Sequence, residues 1–364
     1  MKADCHIHMV LDGMDWKASI ARGIQDPYIH SILKAYADGG YTYLRDGGDR
    51  WGVGKRAREL AAGYGITYKT PLAPLCLKGH YGGFIGLCYE STREFADLVV
   101  QQRSQGADFV KIMISGLMDF DRFGILTEPG LEPTLIRELI HIAHEEGFAV
   151  MAHANGARTV EAAAMYGVDS VEHGAYQDAE SLQAMAENGT VWVPTLSTIG
   201  NLRGKGRFSE PDVKRILDSA MENVAKFAAM GGLVAVGTDA GAWAVPHGCA
   251  TEEEHLRFAG VTVEEGAVVE NSIIMQKGTV CQILVNSSLV IRLDIAGNVA
   301  FCILENIQDG GGIAQGCTAG SYVLTCVTNP LPVVDQNTGR VGAVVQVGVH
   351  TADDVVAAVE AMFE

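Results

Sequence analysis

The sequence predicts an α/β fold, a (β/α)8 TIM-like barrel followed by a small, mostly-β C-terminal module. Three observations lead there. Up to about residue 245 one rhythm recurs, a short β-branched run ending in polar residues or glycine and then a helical stretch of roughly 10 to 20 residues. Eight such units fill that length, the size of a parallel barrel whose catalytic residues gather where the strands end. After about residue 277 the texture changes to short strand-like runs separated by Gly, Asn and Pro turns.

Taken in order, the barrel strands are predicted at residues 4–10, 41–45, 66–72, 109–114, 149–153, 170–173, 191–195 and 233–238. Helical patterns occupy 94–102, 133–146 and 211–230, and in the second Leu135, Ile136, Leu139, Ile140 and Ala143 fall on one side. Glycines close helices at Glu145-Glu146-Gly147 and Glu187-Asn188-Gly189. The alternative is an open doubly wound sheet. Polar residues close six different strands, which a barrel brings around one mouth and an open sheet spreads along a line. Later strands are predicted at 279–285, 289–295, 299–304, 322–327 and 342–347, and a helix at 351–363 opens on Thr351 with Asp353 and Asp354 in its first turn. The predicted division is therefore a barrel over 1–277 and a β-rich module over 278–364, joined near Lys277-Gly278.

Composition narrows the partners. Of 364 residues 48% are hydrophobic, enough for a large core, and 27 Lys and Arg against 44 Asp and Glu give a formal charge of -17. That excess repels a phosphate backbone, so no nucleic-acid partner is expected. No run approaches the roughly 18 apolar residues of a membrane span, and the first residues lack a signal peptide's apolar stretch. A cytoplasmic protein acting on a small molecule is expected, as a homo-oligomer on base rates. Eight cysteines at 5, 76, 88, 249, 281, 302, 317 and 326 show no zinc-knuckle or redox spacing and are expected to be reduced packing residues. Cys5 is expected to point away from its neighbour His6.

The strand ends carry the chemistry. His6 and His8 stand two apart on the first strand, so the pleat turns both imidazoles one way and they could grip one metal ion. Lys111 is a lone lysine in the apolar run 109–114, where an unpaired ammonium is costly. It either snorkels or pairs with a carboxylate, or it is converted by carbon dioxide to a carbamate that can bridge two cations. Strand five ends at His153, strand six at His173 and strand eight at Asp239. Arg45, closing strand two, could hold a substrate carboxylate or simply pair with Asp46 or Asp49. His141 and His144 stand three apart on an outer helix and read as a solvated face, and the glycine-rich 309–316 stretch reads as a turn.

Jointly, His6, His8, Lys111, His153, His173 and Asp239 at the ends of strands one, four, five, six and eight resemble the amidohydrolase superfamily. Tyr41-Thr42-Tyr43-Leu44-Arg45-Asp46-Gly47-Gly48, His173-Gly174 and Gly237-Thr238-Asp239-Ala240-Gly241 are similar to the branch of imidazolonepropionase-like enzymes and metal-dependent Xaa-Pro dipeptidases, over about residues 3 to 277. The resemblance implies a binuclear centre of two divalent ions, zinc by preference, with His6, His8 and Asp239 on the buried ion, His153 and His173 on the exposed one, and carbamylated Lys111 bridging. It also implies a metal-bridging hydroxide as nucleophile, with Asp239 passing its proton to the leaving amine. His80 or Tyr81, in Gly79-His80-Tyr81-Gly82-Gly83, would face the carbonyl oxygen, and His247, in Pro246-His247-Gly248, would touch substrate.

The sequence departs from that branch in two places. The His-x-His pair arrives at residue 6, so the branch's small β domain, built from both chain ends, is not expected in its usual form, and residues 278–364 match nothing in it. The expected activity is cleavage of an amide or cyclic amide C–N bond in a small, carboxylate-bearing substrate, a dipeptide included. The alternatives are a phosphoester or lactone hydrolase with the same site, and an inactive barrel serving assembly or binding. A carboxylate-binding Arg45 would favour the amide, and a wide apolar pocket without it the esters.

Overall fold

The computed structural model describes residues 2–13, 15–242 and 244–263, together with the strand segments 281–285, 288–295, 298–306, 322–329 and 344–347. Two compact units divide the chain, Met1–Gly266 and Ala267–Glu364. In the first unit the elements run β1 (Lys2–Ile7), α1 (Trp16–Arg22), α2 (Asp26–Asp38), β2 (Tyr41–Asp46), α3 (Val53–Ala61), β3 (Thr67–Lys69), β4 (Leu75–Leu77), β5 (Leu87–Tyr89), α4 (Thr92–Ser104), β6 (Val110–Met113) and α5 (Pro133–Glu145). They continue as β7 (Val150–Ala154), α6 (Ala157–Met165), β8 (Ser170–His173), α7 (Ala179–Glu187), β9 (Val191–Val193), α8 (Ser197–Gly200), α9 (Glu210–Ala229), β10 (Leu233–Val234) and α10 (Thr251–Phe258). This is an α/β fold of parallel strands.

One sheet runs β1-β2-β3 and the other β10-β9-β8-β7-β6-β4-β5. Single hydrogen bonds link their margins. On one side Cys5 N donates to Val236 O (2.8 Å) and His8 N to Ala240 O (2.7 Å), and on the other Asp108 N donates to Thr70 O (3.0 Å). The resulting cyclic order is consistent with the predicted eightfold barrel and not with strands laid along a line.

Strand three departs from expectation. The stretch predicted as one strand at 66–72 is broken, with β3 pairing to β2 and β4 to β6. Pro71 and Pro74 between them have no N–H to give a ladder, and Leu72 sits at φ 68. A further strand, β5, pairs in parallel with β4 outside the ring order.

Pleating sorts the side chains. Val110, Ile112, Val150, Ala152 and Val171 pack outward in one core cluster with Ile136, Leu139, Ile140 and Ala143 of α5. Each Val, Leu and Ile among them contributes about 2 kcal/mol by burial. Alternate residues Lys111, His153, Ser170 and Glu172 are buried on the opposite, inner side. Helix α5 follows the predicted stripe, and Gly147 beyond it takes φ 79, a left-handed turn that spares a Cβ clash.

The second unit contains an antiparallel sheet of β11 (Cys281–Val285), β12 (Ser288–Ile295), β13 (Asn298–Asn306), β14 (Tyr322–Asn329) and β15 (Val344–Val347), paired in sequence order. The predicted helix at 351–363, the turn at 309–316 and the join near 277–278 lie outside the described residues.

Candidate metal centre

Strand β1 delivers two imidazoles to the inside. Nε2 of His6 and Nε2 of His8 stand 3.4 Å apart, and Oδ1 of Asp239 lies 3.5 Å from the first and 3.3 Å from the second. The three are buried, with ligand atoms all within 4.8 Å of one another. Asp239 is locked to β1 by its backbone N–H, which donates to His6 O at 2.7 Å. His153 and His173 join them, their ring centroids 4.6 Å apart and His173 5.1 Å from His6. Lys111, only 1% exposed, completes the floor.

Three of the four rings are oriented from behind. His6 turns Nδ1 to Oε2 of Glu172 at 2.7 Å, His173 turns Nδ1 to Oγ1 of Thr195 at 2.7 Å, and His153 turns Nε2 to the carbonyl of Gly116 at 3.2 Å. With the His6 proton on Nδ1, its Nε2 offers a lone pair toward Asp239 and His8. Glycines leave room for this packing. A Cβ at Gly47 would stand 2.3 Å from the His8 ring, and one at Gly237 3.0 Å from His6 Cβ.

Alternation along β8 places Glu172 inward and would send His173 outward. His173 nevertheless reaches the site through a left-handed backbone, φ 67, and Asp239 does the same at φ 58. Such conformations cost a non-glycine residue about 1–3 kcal/mol and persist only where the surroundings enforce them.

Burial sets the protonation. It is the first cause lowering all four histidines, His8 and His153 to about 3 and His6 and His173 well below the ordinary value. Nearby Lys111 adds to the shift in His6, His8 and His153. Neutral imidazole is the ligating form. Burial also brings Lys111 down to about 8 and pushes Asp239 up to about 8.

The donor set fits a cation. Nζ of Lys111 and Oδ1 of Asp239 are buried without a hydrogen-bond partner, and both residues line the cavity that the histidines floor. Two imidazoles and a carboxylate match a divalent ion of the zinc type. These residues floor a cavity of about 290 Å3 whose walls include Tyr81, Phe84, Trp16, Met118 and Phe120. The Tyr81 ring lies 4.6 Å from that of His153, and burial raises its hydroxyl pKa, so it stays a neutral donor.

Three predicted substrate contacts stand elsewhere. Arg45 is 3% exposed and its fork is committed to Cys5 O (2.6 Å), Ser170 Oγ (3.1 Å) and Glu172 Oε1 (2.7 Å), so it does not line the cavity. Its partner is Glu172, neither Asp46 nor Asp49. His80 pairs at 3.2 Å with Glu128 away from the lining. His247 is held within the fold, its Nε2–H donating to Leu11 O (3.0 Å) and its Nδ1 accepting from the Tyr36 hydroxyl (3.3 Å). Outside the site, His144 meets Asp169 at 2.9 Å on the outer helix, while His141 is exposed.

Three residues absent from the sequence reading shape the site. Glu172 links His6 to Arg45. Asp4 stitches β1 to the segment after β10 by accepting from Thr238 N (2.9 Å) and Thr238 Oγ1 (2.6 Å). Asn155, on the cavity wall, donates to Gly116 O at 3.0 Å and accepts from Ala175 N at 2.9 Å. Asp4 and Glu172 are the single carboxylates of the short strands β1 and β8, whose other polar residues hide them in the sequence.

The chain is similar to known proteins. The family model described as "Amidohydrolase family" matches residues 3–274. Ochratoxinase of Aspergillus niger is 26% identical over 189 residues, 50% of this chain and 38% of that protein, so the match spans well under half of the relative's length. The crystal structure of a Xaa-Pro dipeptidase with bound methionine in the active site is similar with TM-score 0.60 and 20% identity, covering 83% of this chain and 84% of the other. That of a prolidase complexed with N-methylphosphonate-L-proline gives TM-score 0.55 and 20% identity, covering 81% and 79%.

Proposed function

The chain belongs to the amidohydrolase family, and on that premise we propose that it is a metal-dependent hydrolase of a C–N bond in a small substrate, built on a closed (β/α)8 barrel spanning roughly the first 277 residues. The carrying observation is the clustering of His6, His8 and Asp239 beside the unpartnered Nζ of Lys111 at the floor of a 290 Å3 cavity. His6, His8 and Asp239 would hold one divalent ion, His153 and His173 a second, with Lys111 between them as its carbamate. A lysine whose pKa burial brings to about 8 has a substantial neutral fraction, the form that adds to carbon dioxide with loss of one proton. When bound, the ions, zinc by preference, supply Lewis acidity that polarises a carbonyl and acidifies water.

The chain's own residues do the rest. Asp239 takes the proton of the attacking water at its carboxylate and returns it to the leaving nitrogen. The Tyr81 hydroxyl, above His153, donates to the oxygen that gains charge. Phe84, Trp16 and Phe120 exclude water and receive an apolar substrate group. Similarity to a dipeptidase, a prolidase and an ochratoxinase supports an amide-type substrate.

One observation favours a second reading. With Arg45 sealed in the interior and an aromatic cavity wall, hydrolysis of a lactone or phosphoester is the alternative. Metal analysis of the purified chain beside Lys111→Ala, with both proteins assayed on N-acyl amino acids, dipeptides, lactones and phosphotriesters, tests the proposal. About two divalent ions falling to one or none, with amide turnover lost, is the expected result. Unchanged metal and turnover would overturn the bridging role, and turnover of esters alone would move the assignment to the second reading.

A further inference from the structure

We propose that Cys76 and Cys88 are a redox-active thiol pair, converted by a peroxide into a disulfide that fastens the base of the loop presenting Tyr81 to the cavity. The two cysteines are register partners on the parallel strands β4 and β5. Their sulfurs stand 3.0 Å apart, and both thiols are free. Strands β4 and β5 are the two ends of one loop, and between them Tyr81, Phe84 and Ile85 all line the cavity. Neither cysteine lines it. The pair therefore sits outside the reacting groups and at the hinge points of the segment that carries one of them.

Exposure divides the chemistry. Cys88 is exposed and Cys76 buried, and burial holds the Cys76 thiol well above its ordinary range, so an oxidant meets Cys88 first. The Cys88 thiolate attacks peroxide, an S–O bond forming as the O–O bond breaks, which leaves a sulfenic acid and, after protonation, one water. Sulfur of Cys76 then attacks sulfur of Cys88. The S–S bond forms, the S–O bond breaks, and the leaving oxygen departs as a second water with the Cys76 proton. Two thiols lose two electrons in all, one peroxide gains them, and a small-molecule thiol reverses the step. The other described thiols lack such a partner: Cys5 is buried, and Cys249 faces the Thr251 hydroxyl at 3.5 Å. A separation of 12 positions conceals the pair in the sequence.

Hydrogen peroxide applied to the folded full chain, followed by alkylation of remaining thiols and tryptic digestion without reductant, tests this. Cleavage after Lys69, Lys78 and Arg93 puts Cys76 and Cys88 on the separate peptides 70–78 and 79–93. The expected product is one linked species of those two peptides, lighter than their sum by two hydrogen atoms, abolished by dithiothreitol and absent from Cys88→Ser. Brief trypsin treatment of the native protein should also cut after the exposed Lys78 several-fold more slowly once oxidised. Cys76 recovered as its alkylated thiol beside a Cys88 sulfinic or sulfonic acid would overturn the pairing. A linked peptide with an unchanged rate of cutting after Lys78 would overturn the fastening of the loop.

Discussion

Nδ1 of His6 lies 2.7 Å from Oε2 of Glu172, whose other oxygen accepts a 2.7 Å bond from Arg45. The chain Arg45–Glu172–His6 runs entirely through buried atoms and fixes which nitrogen of His6 faces the candidate ion. Its members belong to strands two, eight and one in β numbering, so the ring orientation depends on three strands at once.

Replacing Glu172 with Gln keeps the shape and removes the charge. Metal affinity should fall by about 10–100-fold, the usual cost of an altered partner behind a ligating imidazole. A chelator competition titration measures it, and an affinity within about twofold of the parent would show that the carboxylate does not orient His6.

Arg45→Met leaves the Glu172 carboxylate buried without its cation. Unfolding free energy should drop by about 3–5 kcal/mol, as when one partner of a buried ion pair is lost. Urea denaturation gives the value. Should the variant instead keep its stability and raise KM for carboxylate-bearing substrates alone, Arg45 serves the substrate after all.

Tyr81→Phe removes one hydroxyl and no packing. A kcat lower by about 10²–10³ with KM little changed is expected of an oxyanion donor. Equal kcat for the two proteins on one amide substrate would assign Tyr81 to the wall only.

Glu252 offers a pH test away from the cluster. Its carboxylate is fully buried, accepting from Leu196 N at 2.9 Å and Ser197 N at 2.7 Å, and burial raises its pKa from 4.5 to about 7. The folded chain thus binds the proton more tightly than the unfolded one. Its stabilising contribution is complete below pH 4.5 and is lost as pH rises to about 7, by up to about 3 kcal/mol. Glu252→Gln should flatten that decline in urea midpoints between pH 4.5 and 7, and an unaltered slope would place the titration elsewhere.

Much of this was legible in the chain. The His-x-His pair, the lone Lys111 and the strand-closing His153, His173 and Asp239 are type-and-position signals, and the structure brings all six to one floor. The substrate contacts were less legible. Arg45 reads as a strand-end cation, yet which carboxylate it meets is decided by Glu172, 127 positions away. His80 and Tyr81 are neighbours in one loop, and only its folded course turns Tyr81 to the cavity and His80 to Glu128. The break in strand three followed from Pro71 and Pro74, which the β-branched pattern around them masked.

The glycines packed against His8 and His6 bear on how this protein can diversify. At position 47 any side chain would overlap an imidazole, and at position 237 it would meet Val193 at 2.3 Å as well as His6. Random mutagenesis should therefore recover almost no variants there, while the wall positions around Phe84 and Phe120 accept many. New substrate preferences can arise by exchange of the walls, whereas the floor has a single solution.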